Sequence, residues 1–203
     1  MNPASLEDFY NQACQTPSAI NEHLPKLKDY AQWCEQVTEF GMGTGLSSIA
    51  LLMGCKNLIS YDINPQWEYI DKILRVLPPG SSWRVCKEDT LTTMSTLPTK
   101  LLFIDTWHSY PQLKQELGLH AHKVSKWIIL HDTESFKEKG EGWQDWETQG
   151  KGELKGLWPA VEEFLASNNP WQIKEHLIHC NGLTILERQG CSQYLSQINR
   201  PTK

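Results

Sequence analysis

The sequence predicts a doubly wound α/β domain whose mostly parallel sheet is closed by an antiparallel β-hairpin near its carboxyl terminus. Three observations predict it. Short apolar runs alternate with longer segments of helical period, each run stops beside a polar or glycine-rich turn, and the last two runs flank Asn181-Gly182, a strong hairpin signal. The chain has 203 residues, which suits one domain able to bury its own core.

Five runs read as parallel strands: 36–40, 57–61, 83–86, 101–104 and 127–130. The segment 47–53 after the first is helical. After the second, Asn64-Pro65 predicts a cap followed by a proline at the first helical position, with Trp67, Ile70, Leu74 and Leu77 as the apolar stripe and Pro78-Pro79-Gly80 as the stop. A further helix is expected over 111–122, with Leu113 and Leu117 facing the sheet and Lys114 and Gln115 outward. Residues 133–156 hold five glycines, many charges, Trp143 and Trp146 and no sustained period, so they read as a loop or lid. Residues 157–166 return to helical pattern, and 171–177 with 183–187 form the closing hairpin. This divides the chain into a helical cap over 1–35 belonging to the same domain, a ligand-binding domain over 36–190 and a tail over 191–203.

Composition narrows the partners. Hydrophobic residues are 39% and charged residues 21%, an ordinary soluble balance with no apolar run long enough to span a membrane. The first ten residues carry Glu7 and Asp8 and lack a basic start, so they do not read as a signal peptide, and the expected location is cytoplasmic. A net charge of -5 with interleaved signs gives no footprint for nucleic acid, leaving a small molecule as the expected partner. The six cysteines include no CxxC pair and read as reduced thiols. Whether the chain forms a homodimer stays open.

The strongest chemical feature is Glu39-Phe40-Gly41-Met42-Gly43-Thr44-Gly45, which follows a strand and opens a helix. Glycine there permits positive φ and close approach of a ligand, and the helix start offers free N–H groups. The spacing is GxGxG followed by Leu46, so the third glycine of the dinucleotide pattern is absent. Acids recur at the ends of the next two strands, in Tyr61-Asp62-Ile63 and Lys87-Glu88-Asp89-Thr90. The fourth and fifth end in Ile104-Asp105-Thr106-Trp107-His108-Ser109-Tyr110 and Leu130-His131-Asp132-Thr133.

Over about residues 36–188 this arrangement resembles the class I S-adenosylmethionine-dependent methyltransferases, with their Rossmann-like sheet. It is most similar to the small-molecule O-methyltransferases of the macrocin and cephalosporin-hydroxylase-like (methyltransferase 24-type) branch. The resemblance implies S-adenosylmethionine as cofactor: Glu39 near the cationic end of its methionine moiety, Asp62 on the ribose hydroxyls, Asp89 at the adenine, and Gly41, Met42, Gly43, Thr44, Gly45, Ile63, Thr90 and Asp105 around it. It further implies a reaction centre of Asp105, His108, His131 and Asp132.

Two mechanisms stay open at that centre. In the branch it resembles, carboxylates bind magnesium, but His131-Asp132 here would give Asp105, His131 and Asp132 as ligands, a set better suited to manganese, iron or zinc. The other needs no metal and makes His108 or His131 the general base. Two different functions also stay open: an NAD-linked oxidoreductase, and a non-catalytic S-adenosylmethionine-binding domain with a regulatory role.

Overall fold

A computed structural model describes residues 4–167 and 170–190, so the tail over 191–203 lies outside the described residues. Seven strands form one sheet in the order β3-β2-β1-β4-β5-β7-β6. They are β1 (Gln36–Phe40), β2 (Asn57–Asp62), β3 (Ser82–Lys87), β4 (Thr99–Ile104), β5 (Val124–His131), β6 (Trp171–Leu177) and β7 (Leu183–Arg188). The first five are parallel, and β7 enters antiparallel between β5 and β6. The expected doubly wound sheet and closing hairpin are both present.

Alternation along the central strands explains why both faces are covered. Leu101, Phe103, Trp127 and Ile129 point to one side, where α1 (Leu6–Gln15), α2 (Leu24–Ala31), α3 (Leu46–Gly54) and α4 (Trp67–Leu74) pack. Leu102, Ile104, Ile128 and Leu130 point to the other, under α5 (Tyr110–His120) and α7 (Trp158–Ala166). The amino-terminal helices thus enlarge one hydrophobic core, with Leu24, Leu27 and Ala31 fully enclosed.

Two local expectations are corrected. Helix α4 begins at Trp67 with Gln66 as its cap, two residues later than Asn64-Pro65 predicted, because Asp62 Oδ1 accepts from the Asn64 N–H at 2.7 Å and holds 62–64 in an Asx turn ahead of the helix. Its buried residues are Ile70 and Ile73, while Trp67 and Leu74 are exposed. The segment 133–156 is also more ordered than a loop. Thr133 is fully buried, α6 (Trp143–Thr148) forms within it, and Lys139 bridges Lys155. Among the described residues the cysteines are all free, and no helix is long and apolar enough to cross a membrane.

Register is what builds the site. Phe40 pairs with Tyr61 on one side and Ile104 on the other, Ile104 pairs with Leu130, and Tyr61 pairs with Cys86. The residues that follow these pairs, Gly41, Asp62, Asp105 and His131, therefore form one row along the carboxyl edge. The order in which the chain adds strands reverses between β1 and β4, and that is where a crevice opens in such sheets.

Candidate active site

A cavity of about 450 Å³ lies in this crevice, lined by Gly41, Gly43, Asp62, Ile63, Asp89, Thr90 and Asp105 together with Thr106, Trp107 and Gln112. Seven expected cofactor residues thus share one hollow. Glu39, Met42, Thr44 and Gly45 lie outside its lining: Met42 and Gly45 are buried, and Thr44 borders a separate apolar hollow with Phe9, Leu46 and Tyr69.

The glycine turn is held from two sides. Gly41 has φ 75°, and a Cβ there would stand 2.0 Å from the Asp105 carbonyl oxygen, so only glycine lets β1 and β4 approach at this height. Asp62 secures the other side: its Oδ2 accepts from the N–H groups of Met42 (3.0 Å) and Gly43 (3.3 Å), and its Oδ1 from Asn64. This acid therefore shapes the turn as well as facing the cavity.

Glu39 is sealed beneath the turn. Its oxygens accept from Ser47 and Ser48 on α3, each at 2.7 Å, and from Ser60 on β2, whose oxygen in turn accepts from Trp83 Nε1. Burial pushes its carboxyl up to about 7; the three hydroxyls pull it back and the Asp105 charge adds to the rise. In this position Glu39 ties α3 to the sheet.

Next to Asp105 of the cavity lining, the other three expected reaction-centre residues converge. His108 Nε2 lies 3.0 Å from Asp105 Oδ1 and 3.1 Å from Asp132 Oδ2, and its Nδ1 lies 3.0 Å from Glu141 Oε2. The ring stacks on Phe136 at 4.7 Å. Burial pulls the His108 imidazole down, but the Asp105 hydrogen bond and the charges of Asp105, Asp132 and Glu141 outweigh it, so its pKa is raised. Burial pushes the Asp105 carboxyl up, and the hydrogen bonds and charges of His108 and His131 reverse this, holding it well below the usual carboxylate range.

His131 is oriented from outside the sheet. Its Nε2 lies 3.1 Å from the carbonyl oxygen of Ala19, which can only accept, so Nε2 carries a proton. Nδ1 then faces Asp105 Oδ1 and Asp132 Oδ1, each at 3.3 Å. Asp132 has φ 59°, an uncommon value for a residue with a side chain, and its Oδ1 is buried without a well-formed hydrogen bond. A ring nitrogen of His131, a buried carboxylate oxygen of Asp132 and one of Asp105 bring ligand atoms within 4.8 Å of one another. This donor set fits a divalent cation, with a nitrogen that suits manganese, iron or zinc better than magnesium.

Several side chains at the site were not expected from sequence. Glu141 grips His108 from the segment 133–156, and Gln112 and Glu116 shape the cavity from α5. A signal existed for Glu116, a carboxylate that shares the helix stripe with Leu113, Leu117 and His120, all of them buried. Nothing in the sequence places Glu141 beside His108. His120 is buried, and its Nε2 lies 2.7 Å from the Thr90 carbonyl oxygen.

No known family model matches the sequence, and no curated protein does. Solved structures do match. The N-methyltransferase NodS from Bradyrhizobium japonicum WM9, in complex with S-adenosyl-L-homocysteine, aligns with a TM-score of 0.60 at 10% identity over 92% of this chain and 100% of its own. Magnesium protoporphyrin IX methyltransferase (ChlM) from Synechocystis PCC 6803, with bound S-adenosylhomocysteine, gives 0.60 at 16% over 89% and 92%. The O-methyltransferase TomG from Streptomyces achromogenes, in complex with S-adenosylmethionine, gives 0.55 at 14% over 90% of each chain. The chain has the Rossmann-like fold of these proteins.

Proposed function

We propose that this protein is an S-adenosylmethionine-dependent methyltransferase that methylates a hydroxyl oxygen of a small molecule. The observation that carries the proposal is the single row of strand ends, in which the glycine turn, Asp62, Asp89 and Asp105 border one cavity and Asp105 in turn joins the cluster of His108, His131 and Asp132. The solved structures with this fold that hold S-adenosylmethionine or S-adenosylhomocysteine support the same cofactor.

In this scheme Asp62 faces the ribose, Asp89 the adenine and the Gly41 turn the methionine portion. Methyl transfer is a direct displacement: the bond from sulfur to the methyl carbon breaks as the bond from the acceptor oxygen to that carbon forms. The protein's task is to hold donor and acceptor in line and to exclude water, with 133–156 as the covering segment. Asp105, His131 and Asp132 would hold a divalent cation, which when bound would lower the pKa of the acceptor hydroxyl and orient it. The hydroxyl proton passes to His108 Nε2, which must first be neutral. Because its pKa is raised above the ordinary imidazole value, the competent neutral fraction grows only as pH rises past that value.

Calorimetric titration with S-adenosylhomocysteine, using NADH as a control ligand, tests the proposal. Micromolar binding that Asp62→Ala abolishes is the expected result; binding of NADH alone would reassign the turn to dinucleotide chemistry. Acceptor turnover that survives fully in EDTA would remove the cation from the scheme and leave His108 as sole activator.

A further inference from the structure

His131 is oriented by a main-chain carbonyl, and a carbonyl is only as well placed as the segment that carries it. Ala19 lies in the connection between α1 and α2, where Ser18 and Asn21 brace each other: the Ser18 N–H donates to Asn21 Oδ1 and the Asn21 N–H to Ser18 Oγ, each at 3.1 Å. That brace shapes the connection without tying it to β5. The tie runs through the turn between β6 and β7.

His23, fully buried just before α2, donates from Nε2 to the carbonyl oxygens of His179 and Cys180, each at 3.0 Å. Both partners only accept, so Nε2 carries the proton. Its Nδ1 is buried without a partner, a cost that leucine would avoid in the same space, so the imidazole is explained by what Nε2 holds. Cys180 closes the clasp from the other side: its thiol donates at 3.1 Å to the Ala19 carbonyl oxygen, the atom that also accepts from His131 Nε2. The turn itself is pinned to the end of β5. Its Asn181 carbonyl accepts from the N–H groups of Glu134 (2.9 Å) and Ser135 (3.0 Å), and a Cβ on Gly182 would stand 2.4 Å from the Glu134 nitrogen. Cys180 and Asn181 are left-handed, at φ 47° and 68°, values uncommon for residues with side chains and held here by these contacts.

We propose that His23 is a positioning residue for the reaction centre: by clasping the 179–180 carbonyls it holds Ala19 against His131 Nε2 and so fixes the plane in which the His131 ring meets Asp105 and Asp132. The contacts close a ring, from His131 to Ala19, along the chain to His23, across to the turn, and by Glu134 back to β5. A His131 ring flipped about its Cβ–Cγ bond would lose the Ala19 bond and turn Cδ2 towards the carboxylates. His23 lies outside the cavity lining, so it acts through His131. This rests on the scheme above for what His131 does, but the placement of the ring can be measured with neither cofactor nor acceptor present.

Proton–nitrogen magnetic resonance of the imidazole N–H groups is the test, with the His131 signal assigned by its loss in His131→Gln. Wild type should show a slowly exchanging His131 Nε2–H whose rate stays within about threefold of that of His23 Nε2–H, as parts of one local opening. His23→Leu, which fills the space without the donor, should quicken the His131 exchange about tenfold or more, the worth of a lost hydrogen bond. His23→Gln, whose amide can donate to the same carbonyls, should restore most of the protection, a rescue that a merely structural role would not produce. If the His131 exchange is unchanged in His23→Leu, or in wild type far outpaces that of His23, the Ser18–Asn21 brace suffices and the inference is overturned, with the cofactor scheme standing. Failure of wild type to bind S-adenosylhomocysteine would sink the cofactor scheme, while coupled exchange of His23 and His131 would still support the clasp.

Discussion

Glu39 is sealed within β1 and Asp105 stands half-buried just past the end of the neighbouring β4, and one carboxyl is pushed up to about 7 while the other is held well below the usual range. The difference lies in their partners. Glu39 is met by three serine hydroxyls, neutral donors that only partly offset the loss of water. Asp105 is met by two imidazoles whose charge and hydrogen bonds more than offset it. The comparison extends to the two halves of the site. The β1–β3 half is built from backbone turns and neutral hydrogen bonds that make a rigid cradle, whereas the β4–β5 half is a charged cluster assembled from distant segments.

The cradle should break most severely where backbone meets backbone. Gly41→Ala would drive a Cβ to within 2.0 Å of the Asp105 carbonyl oxygen, while at Gly43, also left-handed at φ 48°, a Cβ would meet nothing within 4 Å. We expect Gly41→Ala to cost about 3 kcal/mol or more and to abolish S-adenosylhomocysteine binding. Gly43→Ala should cost only the strain of its conformation, about 1 kcal/mol. Urea unfolding of both variants measures this; equal losses would mean that β1 and β4 do not approach as closely as described.

That asymmetry also explains what the sequence could disclose. The cradle was legible because its parts are local: strand 36–40, the glycines that follow, and acids at strand ends are contiguous or regularly spaced. Positive φ at Gly41, Gly43 and Gly45 leaves a mark in residue type. The charged cluster was legible only in its strand-borne members, Asp105, His131 and Asp132, with His108 close behind. Ala19 orients His131 through a backbone carbonyl, which any residue type supplies, and Glu141 reaches His108 from 33 positions away. The start of α4 was misplaced for a related reason, since the Asp62 side chain draws the Asn64 N–H into a turn ahead of the helix. The role of Glu39 was altered by Ser47, Ser48 and Ser60, ordinary residues whose convergence depends on the fold.

The contrast between the two carboxyls gives a stability prediction with a definite sign. Glu39 binds a proton more tightly folded than unfolded, so its contribution is greatest below the unfolded value of 4.5 and is lost as pH rises through about 7. The spread corresponds to about 3 kcal/mol lost across that window. Glu39→Gln, which stays neutral, should flatten the pH dependence: less stable than wild type near pH 5 and more stable near pH 8. Thermal unfolding across this range would show the crossing, and parallel curves for the two proteins would mean that Glu39 is not neutralised on burial.

The charged half is sharpened by a cation. Wild type should bind Mn²⁺, and Asp132→Asn should weaken that binding by about 10- to 100-fold, judged by electron paramagnetic resonance of the free ion. Asparagine tolerates the left-handed conformation at φ 59°, so Tm should change little. No Mn²⁺ binding by wild type would remove the ion and leave the orphaned Asp132 oxygen and the oriented His131 to be explained as parts of a proton path.

The smallest expected effect on stability tests how the covering segment is joined to this cluster. Glu141 meets the segment after β4 in three ways: its N–H donates to the His108 carbonyl at 2.8 Å, its carbonyl accepts from Trp107 Nε1 at 3.2 Å, and its carboxylate Oε2 meets both His108 Nδ1 at 3.0 Å and the His108 N–H at 3.4 Å. Only the last depends on the side chain, which is 50% exposed, so Glu141→Ala should cost less than about 1 kcal/mol. Its effect should appear in dynamics instead. Amide hydrogen exchange over 142–150 should quicken by severalfold while S-adenosylhomocysteine affinity stays within about twofold, because Glu141 is not part of the cavity lining. Unchanged exchange would assign the covering segment's position to its main-chain bonds alone, and the charged half would then share the backbone logic of the cradle.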